Sequence, residues 1–266
     1  MKNIFIYTNK SEASESCARD LAEKLRAENF TVQSEFSDST EFVCVVGGDG
    51  TLMHAMRDCG YPATPFVGIN TGHLGFYQEF HPQDLDELVG IIISGDYNVQ
   101  SHRLLTADVK LAGGEIRSYQ ALTDVVFRGS MSKVTHLRLA IGDSFIENFS
   151  GDGIIVASSA GSTAYNYSLG GSIVDPRVSL LQITPIAPMN NKTFRSFTSS
   201  LLVPPGLDVH IYPEAGFTKS GYLIVDGEEY FFEDVEDVAI DLSEQTVNIV
   251  RLAGYDFWAK VKSKFL

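Results

Sequence analysis

Residues 42–58 read FVCVVGGDGTLMHAMRD. Phe42 to Val46 is an unbroken apolar run of strand length, the pattern of a strand buried on both faces of a parallel sheet. The glycine loop Gly47-Gly48-Asp49-Gly50 follows at once, and a short helical pattern is predicted from about Leu52 to Asp58. Working outward, Ile4 to Tyr7 reads as a strand, and Ala13, Cys17, Leu21, Ala22 and Leu25 recur at helical spacing after Ser11, a plausible N-cap. Downstream, Pro65 to Ile69 is another strand, and Leu85, Leu88, Val89 and Ile92 mark one more amphipathic helix. The order β-α-β-α-β-α specifies an α/β domain with an open, mainly parallel sheet over residues 1–100.

After residue 100 the apolar period changes to two. Leu105, Ala107, Val109 and Leu111 alternate with polar residues up to a Gly113-Gly114 hairpin turn, and Leu137, Leu139 and Ile141 do so before Gly142-Asp143. Further short strands are predicted at Ile154–Ala157, Leu201–Val203, Val209–Tyr212, Tyr222–Val225, Val238–Leu242 and Val247–Leu252. Residues 101–252 therefore read as a β-rich, sandwich-like C-terminal domain of mostly antiparallel strands. Phe257 to Phe265 looks helical and is the one basic segment; Lys260, Lys262 and Lys264 are expected on the solvated face of a docked C-terminal helix.

Composition narrows the function. The 266 residues include 20 Lys plus Arg and 34 Asp plus Glu, a net charge of −14. So acidic a chain is not expected to bind duplex nucleic acid, which needs a basic surface. With 44% hydrophobic and 20% charged residues it is expected to fold, and it lacks the ~20-residue apolar run that spans a bilayer. The N-terminal MKNIFIYTNK has too short an apolar stretch for a signal peptide and reads as the first strand of a cytoplasmic protein. Cys17, Cys44 and Cys59 fit reduced thiols rather than a disulfide framework or a metal site. The glycosylation sequons at Asn148, Asn166 and Asn191 are then chance matches.

The chemistry gathers in glycine-rich loops. Three glycines within residues 47–50 let a ligand approach backbone amides closely, and amides ahead of a helix form an anion site. Asp49 would repel phosphate there unless it meets a metal ion or a hydroxyl, and either role suits phosphoryl transfer. The plainer alternative is a tight strand-to-helix turn with Asp49 in an Asx-turn. A second such segment, Gly151-Asp152-Gly153 to Gly170-Gly171, leads through Ala160, Ser162 and Thr163 to Ala164, Tyr165, Asn166 and Ser168. It presents Thr163, nearby amides and the flat Tyr165 ring to a polar ligand, or merely caps a helix with Ser162 or Thr163. Val225-Asp226-Gly227-Glu228 reads as a hairpin turn and no more. In Asn70-Thr71-Gly72-His73-Leu74-Gly75-Phe76, His73 is expected to be a structural loop histidine. No Ser-His-Asp or Cys-His arrangement has defensible spacing.

Together these segments resemble the NAD kinase family. Residues 47–51 are similar to its GGDGT, residues 70–76 to its NxGxLGF, residues 151–176 to its long glycine-rich signature, and residues 184–188 to its TPIAP. The resemblance implies transfer of the γ-phosphoryl group of ATP, or of a phosphoryl group of polyphosphate, with magnesium or another divalent metal, to the 2′-hydroxyl of the adenosine ribose of NAD. Asp49 would be the base. Gly47, Gly48, Gly50 and Thr51 would hold phosphate, and the metal would be held through phosphates rather than by side chains. Asp49, Gly50, Phe76, Thr123, Asp124, Ala160, Thr163, Ala164, Tyr165, Asn166, Ser168 and Glu228 would contact NAD, with Asp152 and Ala187 near the nicotinamide end. It also implies a homodimer or homotetramer, with Asp152 and Tyr165 offered across an interface, and a tail of about 253–266 returning to the first domain.

Two positions depart from the family pattern. Thr123-Asp124 stands where the family carries Asn-Glu, which binds the adenosine portion, and Glu228 stands where many members have Gln. Losing the amide donor at 123 leaves a buried partner unpaired, at a cost of ~1–3 kcal/mol. That departure motivates an alternative, a non-catalytic dinucleotide sensor. A lipid kinase sharing the GGDGT loop is a further alternative, weakened by the mismatch of the long segment.

Overall fold

The computed structural model describes residues 2–72, 75–129 and 133–265. Residues 1–102 with 246–266 form one compact unit and residues 103–245 a second.

The first unit opens with β1 (Asn3–Thr8), α1 (Glu12–Ala27), β2 (Thr31–Gln33) and β3 (Phe42–Val46). There follow α2 (Asp49–Asp58), β4 (Pro65–Ile69), β5 (Gln78–Phe80) and α3 (Leu85–Ser94). β1 to β5 pair in parallel, in the order β2-β1-β3-β4, with β5 beside the end of β4. Every side chain of β3 is buried, as its apolar run requires. Phe42, Cys44 and Val46 share a core with Leu21 and Leu25 of α1 and Leu88 and Ile92 of α3. Ser11 caps α1, its side chain accepting the Ser14 N–H. α2 begins at Asp49, three residues before the predicted start, because the glycine loop itself turns into the helix. Cys17, Cys44 and Cys59 are free thiols.

The second unit holds β6 (Asn98–Leu111, from Arg103 onward), β7 (Ile116–Ala121), β8 (Asp124–Arg128), β9 (Thr135–Ile141), β10 (Ser144–Gly151) and β11 (Gly153–Ser158). A 3-10 turn at Ala160–Thr163 and the one-turn α4 (Tyr165–Ser168) precede β12 (Leu181–Ile186) and β13 (Leu201–Val203). β14 (Val209–Pro213), β15 (Gly221–Val225), β16 (Glu228–Phe232) and β17 (Val235–Arg251, up to Gln245) complete it. One antiparallel sheet runs β13-β12-β11-β8-β15-β16. Its inward side chains, among them Phe127, Ile154, Val156, Ile183 and Leu223, share a core with Leu105, Leu139, Ile211 and Ile240 of β6, β9, β14 and β17. This is the sandwich that the period-two pattern predicts.

β17 corrects one expectation. Val238–Leu242 and all of Val247–Leu252 but its last residue are parts of one 17-residue strand. Ser243 to Thr246 is polar but has neither glycine nor proline, so nothing breaks the extended backbone. The strand's last part pairs with β4 in the first unit, Asn248 opposite Pro65, and α5 (Phe257–Phe265) follows. No helix among the described residues is long and apolar enough to cross a membrane.

Candidate active site

In the first unit, Asp49 stands at the carboxyl end of β3, and the segment after β4 folds over it. Phe76 N–H donates to Asp49 Oδ2 at 2.8 Å and Tyr77 N–H to Oδ1 at 3.1 Å. Each carboxylate oxygen thus keeps acceptor capacity for a further donor. Gly75 lies so close that a Cβ there would overlap both Asp49 Oδ1 and Gln78 Oε1. The N-cap of α2 is Gly48, with no side chain to occupy the first amides. A Cβ on Gly48 or Gly50 would meet nothing, whereas one on Gly47 would strike Thr51. The Gly47 N–H donates to Ile69 O at 2.9 Å, so this amide of the predicted phosphate loop is already engaged. His73 and Leu74 lie outside the described residues.

In the second unit, three predicted segments meet at one end of the central strands. Val225 of β15 is opposite Val125 of β8, and Asp124 of β8 is opposite Ala157 of β11. Asp226 and Gly227 form the hairpin turn with φ of +47° and +88°. Asp226 does more than turn the chain. Its carboxylate accepts Leu122 N–H at 2.7 Å, and Thr123 N–H and Oγ1–H at 2.7 and 2.6 Å. The Asp124 N–H adds a longer bond at 3.3 Å. The Thr123 side chain is therefore turned inward, and its carbonyl accepts Ser158 N–H at 2.9 Å. Gly161 packs on that same peptide, where a Cβ would overlap the Thr123 carbonyl.

Ala160 is nearly buried, whereas Ala164, Tyr165 and Ser168 are exposed and Thr163 is half-buried. Ser162 caps no helix; its hydroxyl donates to Val174 O and accepts Val174 N–H. Asn166 is fully enclosed, with Oδ1 accepting Thr184 Oγ1–H at 2.7 Å, so it braces α4 against β12 from inside. Asp152 and Ala187 are exposed at the other end of the sheet, where Gly153 is opposite Ile186. Glu228 opens β16 and accepts Tyr230 Oη–H at 3.0 Å.

The two halves of the chain match two family models in order. The ATP-NAD kinase N-terminal domain matches residues 3–97 and the ATP-NAD kinase C-terminal domain residues 124–252. The chain belongs to the NAD kinase family. An NAD kinase of Finegoldia magna is 34% identical over 100% of this chain and 98% of its own length. One of Pediococcus pentosaceus is 33% identical over 99% of this chain and 97% of its own. The fold matches a yeast NADH kinase complexed with NADH at a TM-score of 0.86 and 21% identity, covering 100% of this chain and 87% of that one. An Archaeoglobus fulgidus NAD kinase in complex with ATP matches at 0.78 and 21%, covering 99% and 98%.

Against that family pattern, the Thr123-Asp124 pair has its own electrostatics. Burial, then the neighbouring Asp226 charge, push the Asp124 carboxyl up to about 7, against the pull of the Thr123 hydroxyl. Burial pushes Asp226 up as well, but the Thr123 hydroxyl and the amides of residues 122–124 pull it back. Asp226 is thus the carboxylate whose charge is supported by hydrogen bonds, and Asp124 the one pushed toward its protonated form. A raised carboxyl contributes stability that is full below its unfolded value and lost as pH rises through its folded one, here from about pH 4 to about 7. Asp124→Asn, which never ionises, is expected to melt about 5 °C above the parent chain at pH 8 and level with it near pH 4. Thermal melts at the two pH values check this; an equal gap at both would contradict it.

Sequence reasoning missed four residues in the first unit. Gln78 is buried, its side-chain amide makes no hydrogen bond, and it lies across Gly75 from Asp49. Glu79, Arg251 and Lys260 form a buried ion cluster beneath the Phe76–Gln78 peptides. Lys260 is thus no solvated lysine of α5, as the basic run suggests; its stem lies inside and its ammonium is capped. A lone arginine in the apolar stretch VNIVRLAG is the one signal that the sequence carried.

Proposed function

We propose that the chain transfers the γ-phosphoryl group of ATP to the 2′-hydroxyl of the adenosine ribose of NAD, giving NADP. The supporting observation is Asp49, oriented by two amides beside an uncapped helix start, in a chain of the NAD kinase family. Asp49 takes the hydroxyl proton as the ribose oxygen bonds to the γ-phosphorus. The bond from phosphorus to the β,γ-bridging oxygen breaks, and ADP leaves with that electron pair. The amides of Gly48, Gly50 and Thr51 carry phosphate charge; Gly47 shapes the loop instead, since its own amide is bonded to Ile69.

Among the described residues no group of three or more His, Cys, Asp or Glu could hold a metal ion. A divalent cation such as magnesium would be held through the ATP phosphate oxygens, whose charge it would neutralise. Thr163, Ala164, Tyr165 and Ser168 contact NAD, with Thr123, Asp124, Ala160 and Glu228 behind them and Phe76 beside Asp49. Asn166 acts from within by bracing α4. Asp152 and Ala187 face the nicotinamide end, and the exposure of Asp152 and Tyr165 suits contact with a second copy in a homodimer or homotetramer. Three free thiols suit the reducing cytoplasm.

The test is NADP formation by the full chain from NAD, ATP and magnesium, followed with an NADP-specific dehydrogenase. Steady turnover is expected. No turnover while calorimetry still registers NAD binding would favour the sensor reading instead.

A further inference from the structure

Glu79, Arg251 and Lys260 lie far apart in sequence, and their side chains are 6%, 4% and 17% exposed. Glu79 Oε1 accepts Arg251 Nη1–H at 2.8 Å and Lys260 Nζ–H at 2.7 Å. The two cations also reach three successive backbone carbonyls. Arg251 Nη1 donates to Phe76 O and Tyr77 O, both at 3.2 Å, and Lys260 Nζ donates to Phe76 O at 3.2 Å and Gln78 O at 2.8 Å. Phe76 and Tyr77 are also the residues whose amides hold Asp49. The segment is thus gripped by its carbonyls from the cluster, while its N–H groups grip the carboxylate.

The cluster is braced on its far side. Arg251 Nε donates to Gln100 Oε1 at 2.8 Å, and the Tyr255 ring lies 4.2 Å from the Arg251 guanidinium carbon. Two buried cations against one anion leave an excess of one positive charge. Asp49 adds a smaller favourable field at Lys260, after that of Glu79. Burial is the largest influence on Lys260 and disfavours its charged form, with Glu79 opposing it. Remove Glu79, and two like charges face each other in a poor dielectric.

We propose that Glu79 and Lys260, with Arg251, are positioning residues for Asp49: they fix the Phe76–Gln78 carbonyls, and thereby the amides that aim the base at the substrate hydroxyl. The inference rests on the reading of Asp49 as the base. A cluster serving stability alone would bear on Tm and on substrate binding, but not on the chemical step through Asp49.

Lys260→Met is the deciding variant, because it leaves Arg251 and Glu79 matched one to one and should fold. In the full chain, its kcat for NADP formation is expected to fall about 100-fold, the scale of an ångström misplacement. KM for NAD and ATP should stay within about 3-fold, and Lys260→Arg should recover most of the rate. Placed on Asp49→Asn, Lys260→Met should lower the residual rate no further, since its effect runs through the missing carboxylate. Glu79→Gln should show the same kcat loss with a lower Tm. A folded Lys260→Met with unchanged kcat, or a loss that recurs in full on Asp49→Asn, would overturn the inference. Full activity in Asp49→Asn itself would instead overturn the assignment of the base, so the two failures are distinguishable.

Discussion

Gly75→Ala is expected to lower kcat for NADP formation about 100-fold while leaving the chain folded. The obstacle is space, since the new Cβ would overlap Asp49 Oδ1 and Gln78 Oε1. Gln78 is 2% exposed and cannot swing away, whereas Asp49 is half-buried at a helix start and can. The least costly relief is to turn Asp49 off the Phe76 and Tyr77 amides. That leaves two partly buried donors unpaired, at about 1–3 kcal/mol, or a fall of several degrees in Tm. KM should move much less than kcat, because the amides proposed to hold phosphate lie around Gly48 and Gly50, where an added Cβ meets nothing. Steady-state kinetics beside a thermal melt check this. A Gly75→Ala chain with the parent kcat would mean that the Asp49 orientation does not matter for the reaction.

The fold was legible where burial on both faces, or on one, leaves a periodic trace. Phe42–Val46 reads directly as a central parallel strand because every side chain in it is apolar and enclosed. The Gly113-Gly114 and Gly142-Asp143 turns read as hairpins because their glycines supply the positive φ that such turns need. The continuity of β17 was hidden, because a polar stretch without glycine or proline is ambiguous between a turn and the exposed middle of a long strand.

The candidate site was legible in its backbone and opaque in its support. Glycine loops announce close approach, so Asp49 and the Gly151–Gly171 segment stand out. The Asp226 carboxylate did not, because Asp-Gly is what the turn itself requires; that its oxygens collect the amides of residues 122–124 depends on the pairing of β15 with β8. Glu79 belongs to a segment in which the sequence pattern marks no element, and Lys260 to one that it reads as a surface helix. Their charges are buried only because α5 packs on Phe76, with Phe265 stacked on that ring at 5.6 Å. No local period carries such information, since the partners of each charge lie on other elements.

Asp49→Asn should have the largest effect of all. The substitution keeps shape and volume, and the amide oxygen can still accept one of the two backbone N–H bonds. The amide nitrogen cannot accept the other, and asparagine cannot take a proton from a hydroxyl at neutral pH. General-base assistance contributes about 10²–10⁴ in rate. Phosphate binding, as proposed, rests on amides that the substitution leaves in place. NAD affinity by calorimetry should therefore stay within about 3-fold, since the proposed dinucleotide contacts lie chiefly in the second unit. The decisive measurement is kcat for NADP formation at saturating NAD, ATP and magnesium, for the parent chain and Asp49→Asn side by side. If Asp49 is the base, the variant loses about a thousandfold with the fold and NAD binding intact; an Asp49→Asn chain that turns over at the parent rate would contradict that role.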